Sequence, residues 1–179
     1  MKESLLSKFL KFSYGSWVGL FLGLVTTMFT TRILPPEAVG KASMFDLVLQ
    51  VTLILVVFGT DQAFIRFFYE EQPSKRGGLL YNCLKIPVIT TIIIVSILFL
   101  LYDPITNYLF GEKDFIFGIL LAIGIITQLL YRYGQLVIRM QQKGNLYSLL
   151  QILQRVFNLI FIIIFFHFLG SSFKVLVIS

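Results

Sequence analysis

Charged side chains inside apolar runs are the residues of this sequence with the most informative chemistry. Asp61 and Arg66 lie in the segment 59–71, GTDQAFIRFFYEE, at the end of an apolar run that begins near Ala42. Inserting a charged group into a bilayer costs about 2.5–3.5 kcal/mol on insertion scales, so such groups normally face a protein interior or a water-filled cavity. Asp61 and Arg66 are therefore expected either to form structural ion pairs or to belong to a pathway.

Two later apolar runs each carry a polar stripe that contains an arginine. At about 100° per residue, the members of each set fall on one face of a helix. The first stripe contains Gln128, Arg132, Gln135 and Arg139, and the second contains Tyr147, Gln151, Gln154, Arg155 and Asn158. Guanidinium and amide groups can bind phosphates and hydroxyls in a cavity, or they can join helices by hydrogen bonds. Both interpretations stay open.

The overall composition excludes a soluble domain. Hydrophobic residues make up 57% of the 179 residues and charged residues only 13%, and the mean hydropathy is +0.87. The net charge of +6 comes from short basic clusters between apolar runs, which indicates topology determinants and not a nucleic-acid site. The single cysteine, Cys83, excludes an intrachain disulfide, and the single histidine, His167, leaves no metal-ligand cluster of recognisable spacing.

The apolar runs must be helices that span the membrane. In a bilayer only a helix or a closed barrel satisfies the backbone, and these runs are far longer than a barrel strand of about ten residues. We therefore predict an all-α, polytopic helix bundle that forms a single transmembrane domain, with five complete helices and the start of a sixth. The predicted spans are 12–33, 42–69, 81–102, 115–135, 146–168 and 174–179. Between them we predict a turn at 34–37, a polar loop at 70–78 and a loop at 103–114, with a kink at Pro87.

The first two helices carry further patterns. Gly15, Gly19 and Gly23 recur every four residues, and such a small-residue stripe is typical of a helix-packing face. In the second helix, three polar side chains share one stripe: Asp46, Gln50 and Asp61. Arg66 lies about 140° from Asp61 on a helical wheel, so we expect it to contact Glu70 instead.

The distribution of lysine and arginine predicts the orientation. Ten lie on one side of the predicted topology, namely Lys2, Lys8, Lys11, Arg66, Lys75, Arg76, Lys85, Arg132, Arg139 and Lys143. Four lie on the other, namely Arg32, Lys41, Lys113 and Lys174. Basic residues favour the cytoplasmic side, so the amino terminus is predicted to be cytoplasmic.

Two segments resemble a known family. TRILPPEAVGK at residues 31–41 and GTDQAFIRFFYE at 59–70, after a basic start and a glycine-rich first helix, are similar to the amino-terminal part of bacterial polysaccharide flippases. These are the O-antigen, capsule and exopolysaccharide exporters of the multidrug/oligosaccharidyl-lipid/polysaccharide superfamily. The resemblance implies twelve to fourteen helices in two pseudo-symmetric bundles around a cavity, of which this sequence would supply an incomplete amino-terminal bundle.

The resemblance also implies a function. It implies alternating-access movement of an undecaprenyl-pyrophosphate-linked oligosaccharide between the leaflets of the cytoplasmic membrane, with the polysaccharide polymerase and the chain-length machinery as candidate partners. We expect Arg155 above all to contact the lipid phosphate, and the other substrate-pathway candidates are Arg132, Gln128, Gln151, Gln154 and Asn158. Asp61, Arg66 and Asp46 are gate or ion-pair candidates. No residue set supports hydrolysis or group transfer, so we expect no enzymatic activity, no cofactor and no nucleic-acid partner.

Three alternatives remain open at the level of sequence. An ion-coupled drug or metabolite antiporter would use Asp46 or Asp61 as its cation or proton site. A nontransporting membrane fragment or assembly partner would explain the apolar end at Ser179. A membrane-embedded sugar transferase is the weakest alternative, because the loops are short and lack an acidic metal-binding cluster.

Overall fold

The chain is built from helices. The computed structural model describes residues 5–110 and 115–169, and every regular element within these ranges is helical. The elements are α1 (Leu5–Ile33), α2 (Pro36–Val57), α3 (Thr60–Phe67), a 3-10 turn (Pro73–Lys75), α4 (Arg76–Leu100), α5 (Tyr102–Phe110), α6 (Phe115–Met140) and α7 (Gly144–Leu169). The predicted start of a further helix at 174–179 lies outside the described residues.

Five segments in the described ranges are long and apolar enough to cross a membrane. They are Phe9–Ile33, Pro36–Val57, Pro73–Leu100, Phe115–Met140 and Gly144–His167. The shortest has 22 residues, which corresponds to about 33 Å of helix and covers a hydrocarbon core of about 30 Å. The predicted all-α fold class with five membrane-length helices is confirmed.

The second predicted helix, 42–69, is wrong at both ends. It begins earlier, at Pro36, because proline has a helical φ and its missing N–H is not needed at the first helical position. The predicted turn at 34–37 is therefore limited to Leu34 and Pro35.

The same predicted helix is also interrupted. The backbone turns at Phe58 (φ 45°) and Gly59 (φ 77°), which separates α2 from the short helix α3. A left-handed conformation at an aromatic residue is strained, at a cost of about 1–3 kcal/mol. Phe58 is itself highly exposed, so its own burial does not offset this cost.

Two predicted loops are partly helical. Residues 103–114 were predicted to be a loop, but 102–110 form α5, because Asp103 and Pro104 lie in the first turn of a helix, where both residue types are tolerated. The predicted loop 70–78 is shorter than expected, since α4 begins at Arg76 directly after the 3-10 turn. α6 extends beyond its predicted end at Gln135 to Met140.

The chain divides into two compact units, one formed by 1–43 with 141–179 and the other by 44–140. In the first unit, α1 and α7 pack side by side and run in the same direction. Contacts advance together along both helices, from Lys11 with Ser148 to Gly19 with Arg155. A Cβ at Gly15 would lie 2.5 Å from the Cα of Ser148, so only glycine permits this approach.

The second unit is organised around α6. Every fourth residue along its buried face is apolar and almost inaccessible, namely Phe117, Leu121, Ile125 and Leu129. α2 packs against Gly124 through Leu49, and α4 approaches Gly118 through Leu98. Because Cys83 of α4 contacts Tyr133 near the other end of α6, α4 runs antiparallel to α6.

Candidate functional site

A buried carboxylate in α3 pairs with an arginine in α6. The Nη2 atom of Arg132 donates to Oδ2 of Asp61 at 2.6 Å, and the side chains are 46% and 8% exposed, respectively. Oδ1 of Asp61 accepts the backbone N–H of Gln62 at 2.8 Å. The pair therefore satisfies the buried carboxylate and leaves part of the guanidinium accessible.

The structure separates Arg66 from this pair. Arg66 lies beside the ring of Phe67, 5.6 Å from its centroid. The predicted contact of Arg66 with Glu70 is wrong. Within the described residues Arg66 forms no ion pair, and Asp61 pairs with Arg132 of α6. α3 ends at Phe67, so Glu70 lies beyond the helix in which a contact four residues on was expected.

Sequence reasoning missed Tyr133, which follows Arg132 directly. Its hydroxyl lies 2.6 Å from Oγ1 of Thr60 and donates to the backbone oxygen of Cys83 at 3.3 Å. Pro87 explains this second contact, because a proline has no N–H to donate to the carbonyl four residues earlier, which is that of Cys83. The sequence signal that pointed to such a contact is Pro87 within a helix, because it leaves the carbonyl of Cys83 in need of a donor from another helix.

The segment from α3 to the start of α4 forms a hairpin with its own apolar packing. Phe64 and Phe68 are buried and stack edge to face, and the guanidinium of Arg76 lies 4.3 Å from the Phe68 ring centroid. The hairpin makes three sets of polar contacts with α6. Asp61 pairs with Arg132, and the Tyr133 hydroxyl contacts both Thr60 and the backbone oxygen of Cys83. The Tyr69 hydroxyl donates to the Met140 oxygen at 2.9 Å. We call these contacts the polar seam.

The remaining members of the α6 stripe have different surroundings. Gln135 donates its side-chain N–H to the hydroxyl of Tyr131 in the same helix. Gln128 is half-buried, and Arg139 is exposed at the end of α6. The structure thus brings Arg132, among the predicted pathway residues, together with Asp61, among the predicted gate residues.

Two of the α7 positions face α1. Ser148 donates its hydroxyl to the backbone oxygen of Lys11 at 2.7 Å, and Ser16 donates to Oε1 of Gln151 at 3.3 Å. Gln151 is therefore engaged between helices in this structure. Gly15 lies in the same contact, whereas Gly23 has no atom within 4 Å of where a Cβ would be.

Arg155 differs from Gln151 because its head group is available. Its aliphatic Cγ lies 3.8 Å from where a Cβ on Gly19 would be, and the residue is exposed. Gln154 is exposed and Asn158 half-buried on the same helix. Within the part of the chain that the structure describes, Arg155 has no ion-pair partner, so its guanidinium can bind an external anion.

Asp46 lies in the middle of α2, one turn before Gln50. Both residues are exposed on the helix. In the described ranges, the Asp46 carboxylate forms neither an ion pair nor a hydrogen bond, unlike Asp61. Of the two acids predicted as gate or ion-pair residues, Asp61 is therefore buried in an ion pair, whereas Asp46 is exposed and forms no ion pair within the described ranges.

One comparison with known proteins relates this geometry to a family. A sequence model for a family described as polysaccharide biosynthesis protein matches residues 6–179. Comparisons with curated proteins and with solved structures give no match. The match covers nearly all of the sequence, including α1 to α7 and the seam. This multi-pass membrane protein therefore belongs to the polysaccharide biosynthesis protein family, whose members are polysaccharide transporters.

Proposed function

We propose that the protein is a flippase, which moves a lipid-linked oligosaccharide across the bacterial cytoplasmic membrane for cell-surface polysaccharide synthesis. The observation that carries the proposal is the family match over residues 6–179 of a chain with five membrane-length helices. The substrate we propose is an undecaprenyl-pyrophosphate-linked repeat unit, which is moved from the inner to the outer leaflet by alternating access. The amino terminus would be cytoplasmic, and the exported unit would then reach the polymerase and chain-length machinery.

The chemistry of α7 supports a substrate with a pyrophosphate. Arg155 has an exposed guanidinium inside a membrane-length helix, where an uncompensated charge is costly. An arginine can bind two phosphate oxygens through parallel hydrogen bonds. Gln154 and Asn158 on the same helix offer amide groups that suit sugar hydroxyls. We therefore assign Arg155 to the phosphate and the amides to the glycan.

A gene deletion with complementation tests this function in cells. Loss of the full-length protein should abolish the surface polysaccharide and cause the lipid-linked repeat unit to accumulate on the inner leaflet. Arg155→Gln should reduce export at least about tenfold, because a charge-assisted hydrogen bond contributes about 1.5–3 kcal/mol. Arg155→Lys should restore part of it, and Arg32→Gln, an exposed arginine at the end of α1, is the control that should export normally. Normal surface polysaccharide in the deletion strain would contradict the proposal.

Asp46 supports one second candidate, an ion-coupled antiporter. Asp46 has no partner among the residues that the structure describes and lies in the middle of a membrane-length helix, where a carboxylate is a suitable site for a proton or a cation. This candidate predicts that export or drug resistance depends on an ion gradient and is lost in Asp46→Asn. Transport of a drug without any effect on surface polysaccharide would favour this function over the flippase.

A further inference from the structure

The α3–α4 hairpin, residues 60–86, lies between two irregularities of the backbone. On one side, Phe58 and Gly59 have φ values of 45° and 77° and interrupt the helix. On the other side, Pro87 removes one hydrogen bond from α4. Hinges in proteins are a few residues at the ends of elements that absorb changes of φ and ψ. Both ends of this hairpin therefore have backbone features that suit a pivot.

The hairpin has apolar packing of its own and makes polar contacts to α6 through the polar seam. Phe64, Phe68 and Arg76 hold α3 to α4. The contacts to α6 are the ion pair of Asp61 with Arg132 and the hydrogen bonds of Tyr133 and Tyr69. A movement that separates the hairpin from α6 would break these polar contacts, and it would leave the contact of Arg76 with Phe68, which lies within the hairpin, in place.

The hydroxyl groups in the seam have fewer hydrogens than contacts. The Thr60 hydroxyl lies 2.6 Å from the Val57 oxygen and 2.6 Å from the Tyr133 hydroxyl, which in turn lies 3.3 Å from the Cys83 oxygen. Two hydrogens serve these three contacts, so each arrangement leaves one contact without a hydrogen. The hydrogen bonds around Tyr133 are thus incompletely satisfied. The ion pair of Asp61 with Arg132 is the strongest contact of the polar seam.

Arg132 can be drawn away by an anion. It uses one terminal nitrogen for Asp61 and is 46% exposed. A pyrophosphate carries more charge than a carboxylate and can accept two parallel hydrogen bonds from a guanidinium. Once Arg132 turns to a phosphate, the carboxylate of Asp61, which is 8% exposed, is left without its counterion. A buried charge without a partner is unstable, and outward movement of α3 would rehydrate it.

We propose that residues 60–86 form a hinged gate, latched to α6 by Arg132 and Tyr133 and released when a phosphate group binds Arg132. The inference rests on the proposed function, since it takes the pyrophosphate of the substrate as the releasing anion. Arg132 is then the sensor of the substrate phosphate, and Asp61 is the counterion that holds the gate closed in its absence.

Hydrogen exchange of the full-length protein in lipid nanodiscs tests the gate directly, with inorganic pyrophosphate as the probe. In the wild type, pyrophosphate should increase amide exchange in residues 60–67 at least twofold. Arg132→Gln should exchange faster without the probe and show no further increase with it. Arg32→Gln, which removes an exposed arginine at the end of α1, should exchange like the wild type and keep the response.

A charge exchange keeps the test decisive where a single variant fails to fold. The double variant Asp61→Arg with Arg132→Asp retains an ion pair, so it should restore slow exchange, but it should not respond to pyrophosphate. Unchanged or slower exchange in the wild type on addition of pyrophosphate would overturn the gate. So would a pyrophosphate response that persists in Arg132→Gln.

The failure of the gate and the failure of the flippase function can be told apart. Surface polysaccharide that depends on the gene, together with a segment 60–67 that does not respond to pyrophosphate, would reject the gate and keep the function. A segment that responds in a protein whose deletion leaves surface polysaccharide unchanged would reject the flippase and its substrate. The gate would then be assigned to transport of another phosphorylated molecule.

Discussion

The hydroxyl of Tyr133 contacts both the start of α3 and the carbonyl that Pro87 leaves without a helical donor. Replacing it in Tyr133→Phe should lower the free energy of unfolding by about 1 kcal/mol, because hydrogen bonds between helices in membranes contribute in this range. Thermal unfolding in detergent micelles measures this change. Tyr81→Phe is a matched control, since Tyr81 is exposed on α4, and equal losses in the two variants would contradict the role of Tyr133.

The two members of the ion pair should respond unequally to mutation. Arg132→Gln leaves a buried carboxylate without a counterion, whereas Asp61→Asn leaves an arginine that is already half exposed. We therefore expect Arg132→Gln to destabilise the protein by at least about 1 kcal/mol more than Asp61→Asn. The double variant Asp61→Asn with Arg132→Gln, which has no buried charge at this site, should be more stable than Arg132→Gln alone. Thermal unfolding of the three variants tests this order, and a larger loss in Asp61→Asn would contradict it.

Among single residues, the sequence singles out charges inside apolar runs as candidates, but it does not show how they pair. Arg132, Arg155 and Asp61 stand out because each is a charge in or beside an apolar run. The partner of Asp61 is 71 positions away on another helix, and a helical wheel shows one helix at a time. Pro87 within a predicted helix implies that the Cys83 carbonyl lacks a helical donor, but only the structure shows that Tyr133, among the tyrosines, lies beside it.

Among the helices, the contact between α1 and α7 depends on one glycine. A methyl group at Gly15 would lie 2.5 Å from the Cα and 2.8 Å from the backbone oxygen of Ser148, and backbone atoms cannot move aside independently of the helix. Gly15→Ala should therefore force α1 and α7 apart and cost about 1–3 kcal/mol. Gly23→Ala is the control, with nothing within 4 Å. Similar midpoints of thermal unfolding for the two variants would contradict this packing.

The hydropathy of the sequence predicts that the long helices exist, but it does not predict where they end or where they are interrupted. The five membrane-length runs exceed what a strand can span, so their type was predictable. Phe58 and Gly59 lie inside such a run, and no local pattern shows that an aromatic residue adopts a positive φ there. Aspartate and proline are common both in loops and in the first turn of a helix. The sequence alone therefore did not show that Asp103 and Pro104 lie at the start of α5.

For the whole molecule, the charge distribution predicts that α1 begins in the cytoplasm. Within each unit the helix directions agree with an alternating path through a membrane, since α1 is parallel to α7 and α4 is antiparallel to α6. A membrane-impermeant maleimide applied to intact spheroplasts should label Glu37→Cys and should label Gln72→Cys only after lysis. The parent protein, in which Cys83 is buried, should stay unlabelled. The reverse pattern would contradict the orientation.

The most direct test of the central claim is transbilayer movement in a purified system. The full-length protein is reconstituted into liposomes with an undecaprenyl-pyrophosphate-linked oligosaccharide, and the fraction of glycan accessible to a membrane-impermeant glycosidase is followed with time. We predict that the accessible fraction rises well above that in protein-free liposomes, and that Arg155→Gln slows the rise at least about tenfold. An accessible fraction that stays equal to that of protein-free liposomes would contradict the assignment of this protein as a flippase.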